Sequence, residues 1–263
     1  YVADSDNAQI KRGDELQSKL DNVMIRNQRE ETSIDFTNRE VHTEVFEPSR
    51  NEEKLYDAVT DHVRTHYSSK DARHPVLITL QKEVVSSPFA VAGTIDRWLA
   101  DSDKRLSSAE RSSLSKIQSI VADIDVTTKQ QRLLNIVETI QDQLETARLV
   151  VFTQFRPTQD AIADRVEELD LPAHIVNGDL SSKAKERKVA DFEREGGVMV
   201  ATDSISEGRN MQFCNVLVNY DLPWNPMKVE QRIGRVDRIG QDREVHVFNM
   251  ALEDTVEEHV LDK

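Results

Sequence analysis

From residue 148 onwards, short apolar runs alternate with segments that have the spacing of helices. The apolar runs are "RLVVFTQF", "AHIV", "GVMVAT", "NVLVNY" and "EVHVFNM", and "SSKAKERKVADFERE" is one of the helical segments between them. Strands that alternate with helices of this length form a parallel sheet with helices on both faces. We therefore predict an α/β fold in which a parallel sheet is flanked by helices.

The chain before residue 148 has a different, mainly helical pattern. The run "REVHTEVF" alternates as a strand does, and Ser49 with Glu52 forms a capping box at the start of the next helix. The apolar stripe of that helix consists of Leu55, Val59, Val63 and Tyr67. Further helices are predicted at 14–26, 75–86, 88–100, 109–121 and 127–147.

Polar loops follow the predicted strands of the last third. They are "TQF", "NGDLS", "ATDSISEGRN" and "DLPWNP". In a parallel sheet, ligands bind at the loops that follow the carboxyl ends of the strands. A binding site is therefore expected where these four loops meet.

The charge of the chain is strongly negative but unevenly distributed. The net charge is -14, which argues against a protein that coats nucleic acid through its overall charge. Residues 226–243 nevertheless carry five cations and three anions. The single cysteine, Cys214, lies in an apolar run and is expected to be a buried packing residue. A local basic groove in an acidic protein remains compatible with this pattern.

Three arginines stand three residues apart in "QRIGRVDRIGQ", residues 231–241. Like charges at this spacing repel one another on a helix, so Arg232, Arg235 and Arg238 are expected to meet an anion. Arg235 and Arg238 lie one turn apart, near the end of a helix that Gly240 would cap. Two converging guanidinium groups can hold the terminal phosphoryl group of a nucleotide. The alternative is a solvated helix face that pairs with neighbouring carboxylates.

The order of motifs in the last third resembles the second RecA-like lobe of superfamily-two helicases and translocases. "VVFTQF" resembles motif IV, "VMVATDSISEGRNMQ" resembles motif V, and "QRIGRVDRIGQ" resembles motif VI. "DLPWNP" and the ending "RIGQ" are similar to the Swi/Snf group, and within it to RapA-like ATPases. The resemblance covers residues 148–263, and ordered motifs are far more specific than any single one.

The resemblance implies a nucleotide site built around motif VI. Arg235 and Arg238 would be arginine fingers that reach ATP across a cleft between two lobes. Gln231 and Arg232 would couple that site to motif V. The residues expected near the nucleotide ribose are Glu207, Gly208 and Asn210.

The resemblance also implies a nucleic-acid track along the loops. Hydroxyl groups, amides and loop N–H groups are suited to contacts with the phosphate backbone, which are independent of sequence. Trp224 would contact the nucleic acid, either by stacking on a base or at the edge of a groove. The other residues expected on the track are Thr153, Gln154, Asn177, Gly178, Thr202 and Ser204.

Several of these residues have a structural alternative. Ser204 and Glu207 form an S-x-x-E pattern that would start a helix, and Asn210 would suit a turn at a helix end. Trp224 would also suit the core at a strand end. Thr153 and Gln154 would also suit a structural role at the end of their strand.

A zinc site is not expected. His62 and His66 share a helix face at the spacing of metal ligands, but neither a glutamate base nor a third ligand is apparent. No metal-ligand set is assigned to the chain itself.

Two motifs of an ATPase are missing from the sequence. No "GxxxxGK[ST]" loop is present to bind phosphates, and no "DExH"-type pair is present to hold Mg²⁺. ATP and Mg²⁺ are therefore expected to be held mainly by a first lobe outside this chain, and the chain alone is expected to be inactive. The expected division is 1–45 as the inter-lobe linker or end of the first lobe, 46–147 as a helical region that packs on the second lobe, and 148–263 as the second lobe with motifs IV to VI.

The function implied by the resemblance is that of an ATP-dependent translocase on double-stranded DNA. The alternatives are an RNA helicase lobe and a non-hydrolysing platform that binds nucleic acid or protein. The expected partners are double-stranded DNA and RNA polymerase or another DNA-bound complex. A monomer that is associated with the nucleoid is expected. A cytoplasmic location is expected because no signal peptide or apolar stretch of membrane-spanning length is present.

Overall fold

The computed structural model describes residues 38–66, 74–101, 106–143, 148–205 and 210–261. The predicted helix at 14–26 lies outside these residues. No helix within them has the length and apolar character needed to cross a membrane. In chain order the elements are β1 Arg39–Phe46, α1 Arg50–His66, α2 His74–Ser86, α3 Pro88–Ala100, α4 Ser108–Ala122, α5 Thr128–Gln143, β2 Arg148–Phe152, α6 Arg156–Glu167, β3 Ala173–Val176, α7 Ser182–Glu195, β4 Gly197–Ala201, β5 Val216–Asn219, α8 Pro226–Ile233, β6 Val245–Leu252 and α9 Glu258–Leu261.

The described strands form one parallel sheet, as predicted. The strand order is β1-β6-β5-β2-β4-β3, and every neighbouring pair is parallel. β2 is central, with β5 on one side and β4 on the other. The loops that follow β2, β3, β4 and β5 therefore emerge at the same edge of the sheet, which positions the candidate site.

Helices cover both faces of the sheet. Leu133 and Val137 of α5 pack with Ile162 and Val166 of α6 against one face. Phe192 of α7 and Ile233 of α8 pack against the other. Cys214 belongs to this second core and is fully buried, as predicted, and burial raises the pKa of its thiol to about 12.

α5 connects the helical region to the lobe. It lies within residues 46–147 of the expected division, and its Leu133, Ile136, Val137 and Ile140 pack directly on the sheet. The sequence shows that this helix has an apolar stripe but does not show which partner the stripe covers. The lobe therefore includes α5.

β1 also belongs to the sheet of the lobe, although the division at residue 45 assigned it to a preceding linker. It pairs with β6 along its whole length, from Arg39 opposite Val245 to Phe46 opposite Leu252. The alternating pattern of β1 fits a strand at the edge of the sheet, with Val41 and Val45 exposed on one side. An edge strand and a linker strand have the same alternation, so only the pairing distinguishes them.

The helices α1–α4 form a separate core that includes Leu55, Val59, Leu114 and Ile117. The capping box is present, because Ser49 N donates to Glu52 Oε2 over 2.9 Å and Glu52 N donates to Ser49 Oγ. The predicted stripe is correct for Leu55 and Val59. It then continues through the buried His62 rather than Val63, which is half-buried. The spacing of four and then three residues follows the helical repeat, and Tyr67 lies outside the described residues.

His62 is expected to reduce stability in mild acid. Its Nδ1 lies 3.0 Å from Ser113 Oγ. Burial lowers the pKa of His62 to about 4, with a further contribution from His66 and an opposing one from Glu110. Between pH 6.5 and 4 the unfolded chain binds the extra proton and the folded protein does not, so stability falls as the pH falls through this window.

Urea unfolding of wild type and His62→Gln at pH 7 and pH 5 measures this effect. The wild type should lose about 2 kcal/mol more than the variant over that interval. His246→Gln, which alters a half-exposed ring on β6, is the matched control and should follow the wild type. Parallel profiles for wild type and His62→Gln would contradict the assignment.

Candidate nucleotide and nucleic-acid site

Asp221 joins the loop after β2 to the segment after β5. Its Oδ2 accepts hydrogen bonds from Thr153 Oγ1 at 2.6 Å and from Gln154 N at 2.7 Å. A third bond comes from Ser86 Oγ at the end of α2, at 3.0 Å. Asp221 is buried, so these bonds are shielded from water and hold three parts of the chain together.

A buried lysine lies next to Asp221. The ammonium group of Lys129, at the start of α5, lies 2.7 Å and 2.8 Å from the two carboxylate oxygens of Glu257 and 3.7 Å from Asp221 Oδ1. It also donates to the carbonyl oxygen of Val85 over 3.1 Å. Burial raises the pKa of Glu257, while the positive charge of Lys129 opposes that rise. One buried cation therefore serves two buried carboxylates.

This arrangement contradicts one predicted nucleic-acid contact. Thr153 is fully buried, and its hydroxyl donates to Asp221, so its side chain closes the strand rather than facing a ligand. Gln154 is half-buried, and its side-chain amide donates to the carbonyl oxygen of Leu222 over 3.4 Å. The alternative that the sequence left open is thus correct for Thr153.

The loops after β3 and β4 bring together four of the predicted track residues. Thr202 Oγ1 lies 2.9 Å from Ser204 Oγ. A Cβ built on Gly178 would lie 3.9 Å from the Cβ of Ser204. Asn177 donates over 3.1 Å to Gln159, a buried residue of α6. Ser204 lies in a short 3-10 turn, Asp203–Ile205, so the described part of motif V does not begin an α-helix there.

Trp224 is exposed rather than part of the core. Its relative exposure is 46%, and the ammonium group of Lys82 lies 4.2 Å from its ring centroid. Asn225 caps the start of α8, with its side chain accepting from Met227 N over 3.0 Å. The indole ring is therefore held at the start of a helix with one side open.

Arg232 is enclosed by protein and does not face solvent. Its relative exposure is 1%, and its guanidinium donates to Asp203 over 2.8 Å and to Asn219 over 3.0 Å. It also lies over the ring of Phe152, 5.0 Å from the centroid. Burial alone would raise the pKa of Asp203, but Arg232 and Lys228 together lower it. Arg232 thus connects motif VI to motif V through contacts in the protein core. Gln231, the preceding residue, is exposed.

The helix of motif VI ends earlier than predicted. α8 ends at Ile233 with Gly234 as its cap, whereas the sequence extended it to Gly240. The carbonyl oxygen of Arg235 accepts a hydrogen bond from Met211 N over 3.0 Å, so it is engaged with motif V. Gly240, with φ of +95°, instead ends the turn that carries Arg238.

Arg235 and Arg238 are the two arginines of the motif that lie outside the core. Arg235 is half-buried and Arg238 is exposed. Burial lowers the pKa of Arg235, and the positive charge of Arg238 lowers it further. Within the described residues, the Nε of Arg235 is buried without a hydrogen-bond partner. Two like charges held near one another in this way favour an anion that supplies acceptors.

The end of motif V supports the arginine turn. Asn210 donates to Gln212 over 2.6 Å, and Gln212 contacts the carbonyl oxygen of Ile239. Gln241 is buried and donates to the carbonyl oxygens of Val236, Gln212 and Cys214. Asn210 is therefore exposed and is connected through Gln212 to Ile239 of the arginine turn. Glu207 and Gly208 lie outside the described residues.

Sequence reasoning missed the residues that hold the site together. They are Asp221, Lys129, Glu257, Gln159 and Gln241. Asp221 had a visible signal, since an acidic residue directly follows the apolar strand "NVLVNY". Lys129 and Glu257 are 128 positions apart, and nothing in the local pattern of either predicts burial.

Comparisons with known proteins agree with this architecture. Residues 128–240 match the model of the helicase conserved C-terminal domain. The ATP-dependent helicase YqhH of Bacillus subtilis is 34% identical over 247 residues, which is 94% of this chain and 43% of YqhH. The RNA polymerase-associated protein RapA of Vibrio campbellii is 41% identical over 92 residues, which is 34% of this chain and 10% of RapA.

A solved structure shows the same fold. The crystal structure of the C-terminal part of the Fun30 ATPase domain aligns with a TM-score of 0.63 and 15% identity, covering 87% of this chain and 90% of that one. The chain spans less than half the length of the curated relatives YqhH and RapA. With its RecA-like sheet and the motifs placed along it, the chain carries a helicase conserved C-terminal domain, and its homology to YqhH and RapA assigns it to the Swi/Snf type of superfamily two.

Proposed function

We propose that this chain is the C-terminal lobe of a motor that uses ATP to move along double-stranded DNA without separating the strands. The observation that carries the proposal is the turn with Arg235 and Arg238. It presents two guanidinium groups, one with a buried Nε lacking a partner in the described residues, and motif V holds its backbone. A phosphoryl group offers the acceptor oxygens that such a pair lacks.

The residues of this chain fit one side of an ATP site. Arg235 and Arg238 would stabilise charge on the transferred phosphoryl group, as arginine fingers do. Arg232 would orient the turn, because it fastens α8 to Asp203 and Asn219. The phosphate loop and the Mg²⁺ ligands would come from a first lobe of the full-length protein, so this chain alone should not hydrolyse ATP.

The loops at the carboxyl edge would form half of the DNA track. Gly178, Thr202 and Ser204 lie close together there, and small polar groups suit phosphate contacts that ignore base sequence. Trp224 would lie at the border of this track. Movement would follow from closure of the two lobes on ATP.

The target of the motor is inferred from a relative. RapA is named as an RNA polymerase-associated protein, and we propose that the full-length protein acts on RNA polymerase or another DNA-bound complex. It would do so as a monomer in the cytoplasm, at the nucleoid.

The test is ATP hydrolysis by the full-length protein with duplex DNA, single-stranded DNA or RNA. Duplex DNA should stimulate turnover, and the motor should displace a triplex-forming strand from the duplex without unwinding it. Stimulation by RNA with unwinding would favour the RNA helicase. Absence of turnover under all conditions would favour the non-hydrolysing platform.

A further inference from the structure

The helix α2 is fastened to the site at its carboxyl end. Ser86 Oγ donates to Asp221 over 3.0 Å and lies 2.8 Å from Thr158 Oγ1. The next residue, Ser87, lies 2.6 Å from the same hydroxyl of Thr158. These atoms are buried, so the end of α2 has a fixed position beside the segment that starts at Asp221.

Lys82 is placed over Trp224 by this attachment. It lies four residues before Ser86, on the same face of α2, while Trp224 lies three residues after Asp221. The same helix face therefore makes two contacts with the segment after β5. Ser86 donates a hydrogen bond to Asp221, and Lys82 Nζ lies 4.2 Å from the ring centroid of Trp224. The ring of Trp224 is 46% exposed and is proposed to lie at the border of the DNA track. The ammonium group of Lys82, which contacts this ring, therefore lies at the same border.

Positive charge accumulates at this point of an acidic chain. Burial lowers the pKa of Lys82, and the charge of Lys228 on α8 lowers it further. Lys228 shares Asp203 with the buried Arg232, so one carboxylate serves two cations. The described residues contribute no carboxylate that forms an ion pair with Lys82. An anion placed beside Trp224 would relieve this repulsion.

We propose that Lys82 binds a backbone phosphate of double-stranded DNA beside Trp224, so that the helical region forms one wall of the track. This inference rests on the proposed function. It adds a DNA contact from α2, a helix outside the sheet and its motifs. The ammonium group of Lys82, which lies over the indole ring, would contact the phosphate, and the ring would lie against the sugar-phosphate edge.

The test is the affinity of the full-length protein for duplex DNA as a function of salt concentration. Lys82→Met keeps the length and apolar stem of the side chain but removes the charge. It should raise the Kd for duplex DNA by about 3- to 10-fold and lower the slope of log K against log salt by about one. Lys82→Arg should restore both values, because it restores the charge.

Lys116→Met is the matched control, since Lys116 is an exposed lysine of α4 in the same helical region. Thermal unfolding of each variant checks that the fold is intact. The inference is overturned if Lys82→Met behaves as Lys116→Met does. It is also overturned if the affinity falls with an unchanged salt slope, because Lys82 would then only position the ring. If the wild type binds no duplex DNA at all, the proposed function itself fails, and that result is distinct from either of these.

Discussion

Replacing Arg235 by alanine in the full-length protein should lower DNA-stimulated ATP turnover by about 10³-fold or more, the effect of losing an arginine finger. The guanidinium of Arg235 is half-buried next to Arg238, so it is held in place before the nucleotide arrives. The guanidinium stabilises the charge that develops on the transferred phosphoryl group in the transition state. The affinity for ATP should therefore change far less than the turnover rate. Steady-state ATP hydrolysis together with binding of a fluorescent ATP analogue measures both quantities.

Two further variants complete the experiment: one distinguishes the planar set of donors of Arg235 from its charge, and the other is a control. Arg235→Lys retains the charge but loses the planar set of donors, and it should recover only a small part of the turnover. Arg194→Ala removes an exposed arginine at the end of α7, where it pairs with Asp191 and Glu195, and should leave turnover unchanged. Turnover of Arg235→Ala close to that of Arg194→Ala would show that the turn after α8 has a structural role only.

The fold of the lobe was predictable because its signal is local. Each strand from β2 to β6 is an apolar run of four to eight residues, and alternation with helices determines that the sheet is parallel. The exposure of Arg238 was expected from motif VI, whereas the sequence left Trp224 open between the nucleic-acid surface and the core. The backbone conformation of the turn that carries Arg238 could not be anticipated. α8 ends at Ile233 because Arg235 directs its carbonyl oxygen to Met211, a contact between segments that are 24 residues apart in the sequence.

The parts that were not predictable depend on contacts between distant residues. Thr153 has the chemistry of a phosphate ligand, yet it is buried because Asp221 accepts its hydroxyl. Arg232 has the same side chain as Arg235 three residues later, but Asp203 and Asn219 enclose it. In both cases the residue type is correct for a ligand, and a neighbour from another loop determines its role.

Lys129 is expected to make a large contribution to the stability of the lobe. Its ammonium group is buried between Glu257 and Asp221, so Lys129→Met would leave two buried carboxylates without their cation. Removing one partner of a buried ion pair costs about 3–5 kcal/mol. Urea unfolding of the chain at pH 8 should show a loss of stability of that size. The double variant Lys129→Met/Glu257→Gln should recover a large part of it, because it also removes one of the uncompensated charges.

The pH dependence of this loss distinguishes a charge effect from a packing effect. Burial already raises the pKa of Glu257, and Lys129→Met removes the largest effect that opposes this rise, leaving only a backbone hydrogen bond from Leu222. The folded variant would therefore keep the proton on Glu257 to a higher pH than the unfolded chain, so its stability falls as the pH rises above about 4.5. The pKa of Glu257 is already raised to about 7 in the wild type, whose stability therefore also falls from pH 4.5 upwards, so the difference between wild type and Lys129→Met should grow mainly between pH 7 and pH 8. A difference that is constant across this range would mean that Lys129 stabilises the lobe through the packing of its side chain, and that the carboxylates do not depend on its charge.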